Sequence, residues 1–209
     1  MELESRHQCL IYNGSPSHKL PMIGAIIKRK MEEGYRCLYL NSAPMVAGIG
    51  STLAALGIDV VSEISCGRLV LSSEPVTIDG EFNIEVMLSQ LEDSINQAVS
   101  DGYKGLWASG DMTWEFGPKK DFSKLMEYEL KLEEMFSRRK ELCGICQYHQ
   151  DTLPTNVMQQ SLLVHQQLVI NETLIRINPY YLKSIWPANE NIINKLDEMI
   201  VKLCHQRDE

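Results

Sequence analysis

The sequence predicts an α/β domain built as a three-layer, mostly parallel sheet with helices on both faces. Three observations predict it. Short apolar runs bounded by turn residues alternate with segments whose apolar residues recur at helical spacing. The short runs read as strands buried on both faces, as parallel strands under two helical layers are. Finally, 209 residues, 44% hydrophobic and 23% charged, suit one domain spanning 1–209, with a core that needs no covalent staples.

Each element has its own signal. Gln8–Tyr12 is the first buried strand. Pro21 opens a helix, a position where its missing N–H costs nothing. Met22, Ile23, Ile26, Ile27 and Met31 form the apolar stripe of that helix, and Gly34 ends it. Arg36–Leu40 is the second strand. A second helix starts at Asn41–Pro44 and stops at Gly57. An irregular stretch follows, with a short strand in Gly67–Leu71. Ser72–Gly80 lacks any helical period and reads as a loop. Ile84, Met87, Leu88, Leu91, Ile95, Ala98 and Val99 line a third helix that Gly102 closes. Gly105–Ser109 is a strand and Gly110–Pro118 a loop. Phe122–Lys140 is a long acidic helix, expected to turn Leu125, Met126, Leu130 and Phe136 inward. Leu142–Tyr148 is a further strand, and Pro154 begins another helix. Leu168–Ile170 and Leu174–Ile177 form a strand pair turning at Asn171-Glu172. Glu190–Cys204 closes the chain as an amphipathic helix.

Composition excludes several function classes. The net charge is -8, from 20 basic and 28 acidic residues, and no basic stripe offers itself to a phosphate backbone. Lys28–Lys30 and Arg138–Lys140 fall near helix C-termini, where positive charge suits the helix dipole. No apolar run approaches the ~20 residues of a membrane span, and the first residues carry no secretory signal. The expectation is a cytoplasmic protein that contacts neither nucleic acid nor membrane. Its six cysteines are then reduced thiols.

Ligands of open parallel sheets bind beyond the C-terminal ends of the strands. Asn13–Lys19, Asn41–Met45, Ser109–Trp114 and Gln147–Asp151 gather there. The ligand-binding candidates they supply are His18, Lys19, Asn41, Asp111, Trp114, Tyr148 and His149. Tyr12–Pro21 occupies the place of a phosphate loop, between a strand and a helix, but is degenerate. Its lysine comes one position early, His18 replaces the second glycine, and Leu20 replaces the magnesium-binding hydroxyl.

Several pieces along the chain resemble the MEDS domain, the methanogen/methylotroph DcmR-type sensory domain. They are His7-x-Cys9 leading into the first strand, Gly110–Trp114, Tyr128-Glu129, Cys146–Tyr148, His165, Val169–Asn171 and Asn178–Tyr181. The sequence departs from the family pattern at Asp111, His149 and Gln166. The resemblance implies a RecA/KaiC-like derivative and a sensory domain for small hydrocarbon derivatives. No output module fits in this length, so signalling implies a separate regulatory protein.

Cys143-x-x-Cys146-x-x-His149 invites a zinc reading, but residues three apart on a strand point to opposite faces. A thiol/imidazole cluster of His7, Cys9, Cys146 and His165, assembled by tertiary contact, is an alternative site, with buried side chains favoured over an ion. The sequence nominates no metal, no cofactor and no catalytic residue. The function expected is a non-enzymatic sensory domain that binds a small ligand at the C-terminal edge of the sheet. The alternatives are a residual nucleotide-binding KaiC-like ATPase, anchored on Lys19 and Asp111, and a protein-interaction module. The sequence leaves a homodimer open.

Overall fold

The computed structural model describes residues 6–79, 81–115, 122–181 and 190–205, with the side chains of 114, 115 and 190–192 excepted. The chain runs β1 (His7–Tyr12), a 3-10 turn at Pro16–Lys19, α1 (Leu20–Glu32), β2 (Arg36–Leu40), α2 (Ala43–Ala55), α3 (Val60–Ser65) and β3 (Leu69–Ser72). It continues through β4 (Thr77–Ile78), β5 (Glu81–Phe82), α4 (Ile84–Ser100), β6 (Leu106–Asp111) and α5 (Met112–Glu115). The last elements are α6 (Leu125–Arg138), β7 (Leu142–His149), α7 (Thr155–Val164), β8 (Gln167–Val169), β9 (Ile175–Ile177) and α8 (Glu190–His205).

Among the described residues, seven strands form one sheet in the order β3-β2-β6-β7-β1-β8-β9. All neighbours are parallel except β8 and β9, which form an antiparallel hairpin. Helices cover both faces, giving the three layers. On one face, α1 and α2 pack Leu20, Ile23, Ile27, Ile49 and Leu53 against Leu10, Tyr39, Trp107 and Ile145. On the other, α4, α6, α7 and α8 pack Leu91, Ile95, Leu132, Leu162 and Leu196 against Cys9, Ile11, Leu106 and Cys146. The period of two along each strand divides these sets, so Cys143 and Cys146 lie on opposite faces.

Three local details differ from the sequence reading. The stretch after Gly57 holds α3, capped by Asp59, whose side chain accepts from the Ser62 N–H at 3.0 Å. The loop before α4 contains the two-residue ladder β4–β5. Most consequential is α6. Its buried face is Leu125, Tyr128, Glu129, Leu132, Met135 and Phe136, whereas Leu130 is exposed and Met126 only partly buried. Steps of three and four from Leu125 reach that set, while Leu130, five positions on, lies nearly opposite. A carboxylate therefore sits within the inward stripe.

Candidate functional site

Two groups of polar residues stand out, one on each face of the sheet. The first is the rim expected beyond the strand ends. β2, β6, β7 and β1 are consecutive neighbours, so their ends bring Asn41, Asp111, His149 and Tyr12 to one edge. Tyr12 donates its hydroxyl to Asp111 Oδ2 at 3.1 Å and stacks on His149, with ring centroids 4.9 Å apart. The His149 ring spends both nitrogens locally: Nε2 lies 2.8 Å from the Gly14 carbonyl and Nδ1 3.2 Å from Thr152 Oγ1. Gly14, at φ 71°, turns its N–H onto Asp151 Oδ2 at 2.8 Å. Asn41 Nδ2 donates to the Tyr39 hydroxyl at 3.0 Å, and Asn41 Oδ1 accepts from the Ser42 N–H at 2.8 Å. The Lys19 ammonium lies 5.9 Å above the Tyr12 ring, and His18 is exposed on the 3-10 turn. The rim is a network whose carboxylates, amide and imidazole are bonded to the protein itself.

The second group is buried on the opposite face. His7 begins β1 and Cys146 lies on β7, on the same side of the sheet. α6 supplies Glu129, and His165 directly follows α7. One donor atom from each of these four residues falls within 4.8 Å of all the others. His7 Nε2 is 3.3 Å from Cys146 Sγ and 3.4 Å from Glu129 Oε2, which is 3.5 Å from His165 Nε2. Groups outside the quartet hold it from behind. His7 Nδ1 donates to Glu133 Oε2 at 3.0 Å, and Tyr181 donates to Glu133 Oε1 at 2.8 Å. His165 Nδ1 donates to the Ser161 carbonyl at 2.6 Å. Tyr148 donates to Glu129 Oε1. Phe136 stacks on the His7 ring at 4.4 Å.

The quartet is out of electrostatic balance. Glu129 is 1% and His165 0% exposed, yet among the described residues Glu129 Oε2 and His165 Nε2 have no hydrogen-bond partner. A buried polar atom left unpaired costs about 1–3 kcal/mol. Burial works against a charge on His7, but the hydrogen bond to Glu133 and the two carboxylates of Glu129 and Glu133 beside it outweigh it, so the ring protonates above its ordinary value. Burial and the neighbouring His7 push His165 the other way, down to about 4. Burial would raise Glu129, but the charge interaction with His165 and the contacts with His7 and Tyr148 hold it below the usual carboxylate range. Burial, and then the Glu129 charge, drive the Tyr148 hydroxyl well above its ordinary pKa, so it stays a donor.

Of the rim candidates, Asn41, Asp111, His149 and Lys19 gather as expected and His18 lies on the adjoining turn. Tyr148 does not join them: one residue from His149 along β7, it points through to the other face and reaches Glu129. Trp114 has its side chain outside the described residues. Of the alternative cluster, His7, Cys146 and His165 converge, while Cys9, cross-strand neighbour of Cys146, is not among the four converging donors. Glu129 and Glu133 were missed as site residues. Glu129 carried a legible signal, a charged residue at the helical spacing of an apolar stripe.

A three-layer α/β domain with an imidazole, thiol and carboxylate centre enclosed between sheet and helices is the class that fold and site define. The chain belongs to the MEDS family, the methanogen/methylotroph, DcmR sensory domain, whose pattern matches residues 6–166. All four converging donors lie inside that span. Among curated proteins none matches the chain. Among solved structures, the fold is similar to that of the uncharacterized protein PH0321 from Pyrococcus horikoshii, in complex with an unknown peptide. The two are 14% identical, with a TM-score of 0.58 over 81% of this chain and 80% of that one. Among the described residues, no helix is long and apolar enough to cross a membrane.

Proposed function

We propose that this chain is a non-enzymatic sensory domain that reads a small molecule at the buried centre and relays it to a separate protein. The observation that carries the reading is the pair of unpartnered atoms, Glu129 Oε2 and His165 Nε2, aimed at each other in the interior of a sensory-domain family member. Natural interiors rarely leave such atoms unused without a functional reason. A small apolar cavity of about 30 Å³ lies beside the centre, lined by Met87, Leu91, Leu132, Phe136 and Cys146 among others. It suits the carbon of a small hydrocarbon derivative whose polar head turns to the centre. This reading moves the ligand from the rim to the interior, because the rim's polar groups are already bonded to one another. It also disfavours a residual ATPase, since Asp111 accepts from Tyr12 and Lys19 lies over the Tyr12 ring.

The relay follows from connectivity. The centre joins β1 and β7 to α6 and α7, so a change there shifts helices against the sheet. An output surface is suggested by β9, which among the described residues ends the sheet with Ile175 and Ile177 exposed. An open strand edge accepts an extended segment of another protein, and the fold neighbour's structure holds a peptide.

Thermal shift with small alcohols, thiols, amines and halocarbons tests the proposal, because a ligand that binds only the folded form must stabilise it. At least one class should raise the melting temperature of the native chain and not that of Glu129→Gln. If no compound moves it while the unliganded chain captures a protein partner, the interaction-module reading takes its place.

A further inference from the structure

We infer that His7, Glu129, Cys146 and His165 form a binding site for one divalent transition-metal ion of the zinc class. The inference deepens the sensory reading and rests on the same centre.

Geometry makes the first argument. Nitrogen and oxygen bind zinc at about 2.0–2.2 Å and thiolate at about 2.3 Å, so the edges of a tetrahedron of such donors run to about 3.3–3.6 Å. The three close separations here, His7 to Cys146, His7 to Glu129 and His165 to Glu129, are 3.3, 3.4 and 3.5 Å. The remaining pairs stay within 4.8 Å. The four residues offer one donor each, which suits a single four-coordinate ion.

The groups behind the donors make the second argument. An imidazole that ligates a metal through one nitrogen characteristically donates the other N–H to a carboxylate or a backbone carbonyl. His7 does the first, through Glu133, and His165 the second, through Ser161. Both bonds require the proton on Nδ1, which in the neutral rings turns both Nε2 lone pairs to the centre. Tyr148 binds one oxygen of Glu129 and leaves the other directed inward. Each ligand is thus oriented from outside the site.

Charge makes the third argument. Four electron-rich atoms, two imidazole nitrogens, a carboxylate oxygen and a thiol sulfur, meet in the buried interior, and among the described residues no lysine or arginine joins them. A divalent ion opposite the Glu129 carboxylate and the Cys146 thiolate gives a neutral centre, the condition for burying charge at low cost. A mixed nitrogen, sulfur and oxygen donor set favours zinc or its cobalt surrogate over magnesium or calcium, which prefer oxygen alone. A buried water donating to Glu129 and His165 is the competing occupant. It satisfies those two atoms, and His7 Nε2 and Cys146 Sγ share a hydrogen bond at 3.3 Å, but a single ion is what would engage all four donors at once.

The test uses the full chain, stripped with a chelator and checked for native circular dichroism. Titration with zinc against a chromophoric competitor should show about one ion per chain, with a raised melting temperature. Cobalt in its place should give the strong visible bands of a tetrahedral site and a near-ultraviolet thiolate-to-cobalt transition. Cys146→Ser should abolish that transition, and Glu133→Gln, which leaves all four donors in place, should weaken binding about 10–100-fold. Cys143→Ser and His149→Ala should alter neither readout. Should Cys146→Ser fail to fold, Glu133→Gln still decides the matter. Substoichiometric binding to folded protein, an octahedral cobalt spectrum, or sensitivity to Cys143 instead of Cys146 overturns the inference. A metal-free chain that still answers to small molecules removes the metal and keeps the sensor. A stoichiometric metal chain that answers to none does the reverse.

Discussion

His149 and His165 lie on opposite sides of one sheet, and they are used differently. The rim histidine bonds the Gly14 carbonyl with one nitrogen and Thr152 with the other, and Tyr12 stacks on its ring. It acts as a staple between the turn after β1 and the turn after β7. The buried histidine spends Nδ1 on the Ser161 carbonyl and leaves Nε2 facing a carboxylate, a second imidazole and a thiol. A side chain that has used both polar atoms locally has nothing left for a ligand. One held by a single bond, with its other atom buried and unpaired, is preorganised for something that arrives. The same distinction separates Asp111, which accepts from Tyr12, from Glu129, which keeps one oxygen unpartnered.

Truncations on the two sides should therefore cost different amounts. Glu129→Ala should have the largest effect, about 3–5 kcal/mol in urea unfolding, because it removes the buried carboxylate that His7, His165 and Tyr148 all face. A loss below 1 kcal/mol, on the order of a surface substitution, would reduce the centre to ordinary core. Tyr148→Phe should follow at about 1.5–3 kcal/mol, the worth of a hydrogen bond to a charged group, with far-ultraviolet circular dichroism unchanged. On the rim, Tyr12→Phe should cost about 1.5 kcal/mol, the low end of the same range, because its 3.1 Å bond to the Asp111 carboxylate is long for a charged acceptor. It should also leave every small-molecule thermal shift as in the native chain, and a lost response would return the ligand to the sheet edge. The smallest effect is expected from Asp151→Asn. Its carboxylate is largely exposed and should contribute about 0–1 kcal/mol through the Gly14 N–H and His149. Hydrogen exchange at Gly14 would report that loosening directly.

Much of this was legible in the chain. The alternation of elements, both helical layers and the terminal hairpin follow from local periodicity and turn residues, because strands and helices bury apolar side chains at different intervals. The same rule of two already separated Cys143 from Cys146. It also places Tyr148 and His149 on opposite faces, so the two cannot share the rim. The inward face of α6 was readable too, had Glu129 been counted as part of the stripe and not as a break in it. Of the basic clusters expected near helix C-termini, Arg29 and Lys30 lie in the last turn of α1 and Arg138 in the last turn of α6.

By itself, then, the sequence determined the fold class, the order of its main strands and helices and the family. Only the tertiary structure decided which residues meet. His7 and Cys146 are 139 positions apart and become neighbours because β7, not β2, pairs with β1. Parallel strands need long crossovers, so no local turn specifies which strand lies beside which. Packing of the whole sheet and both helical layers chooses that order. The same choice brings Glu129 and His165 over the pair, where burial turns four scattered side chains into one centre.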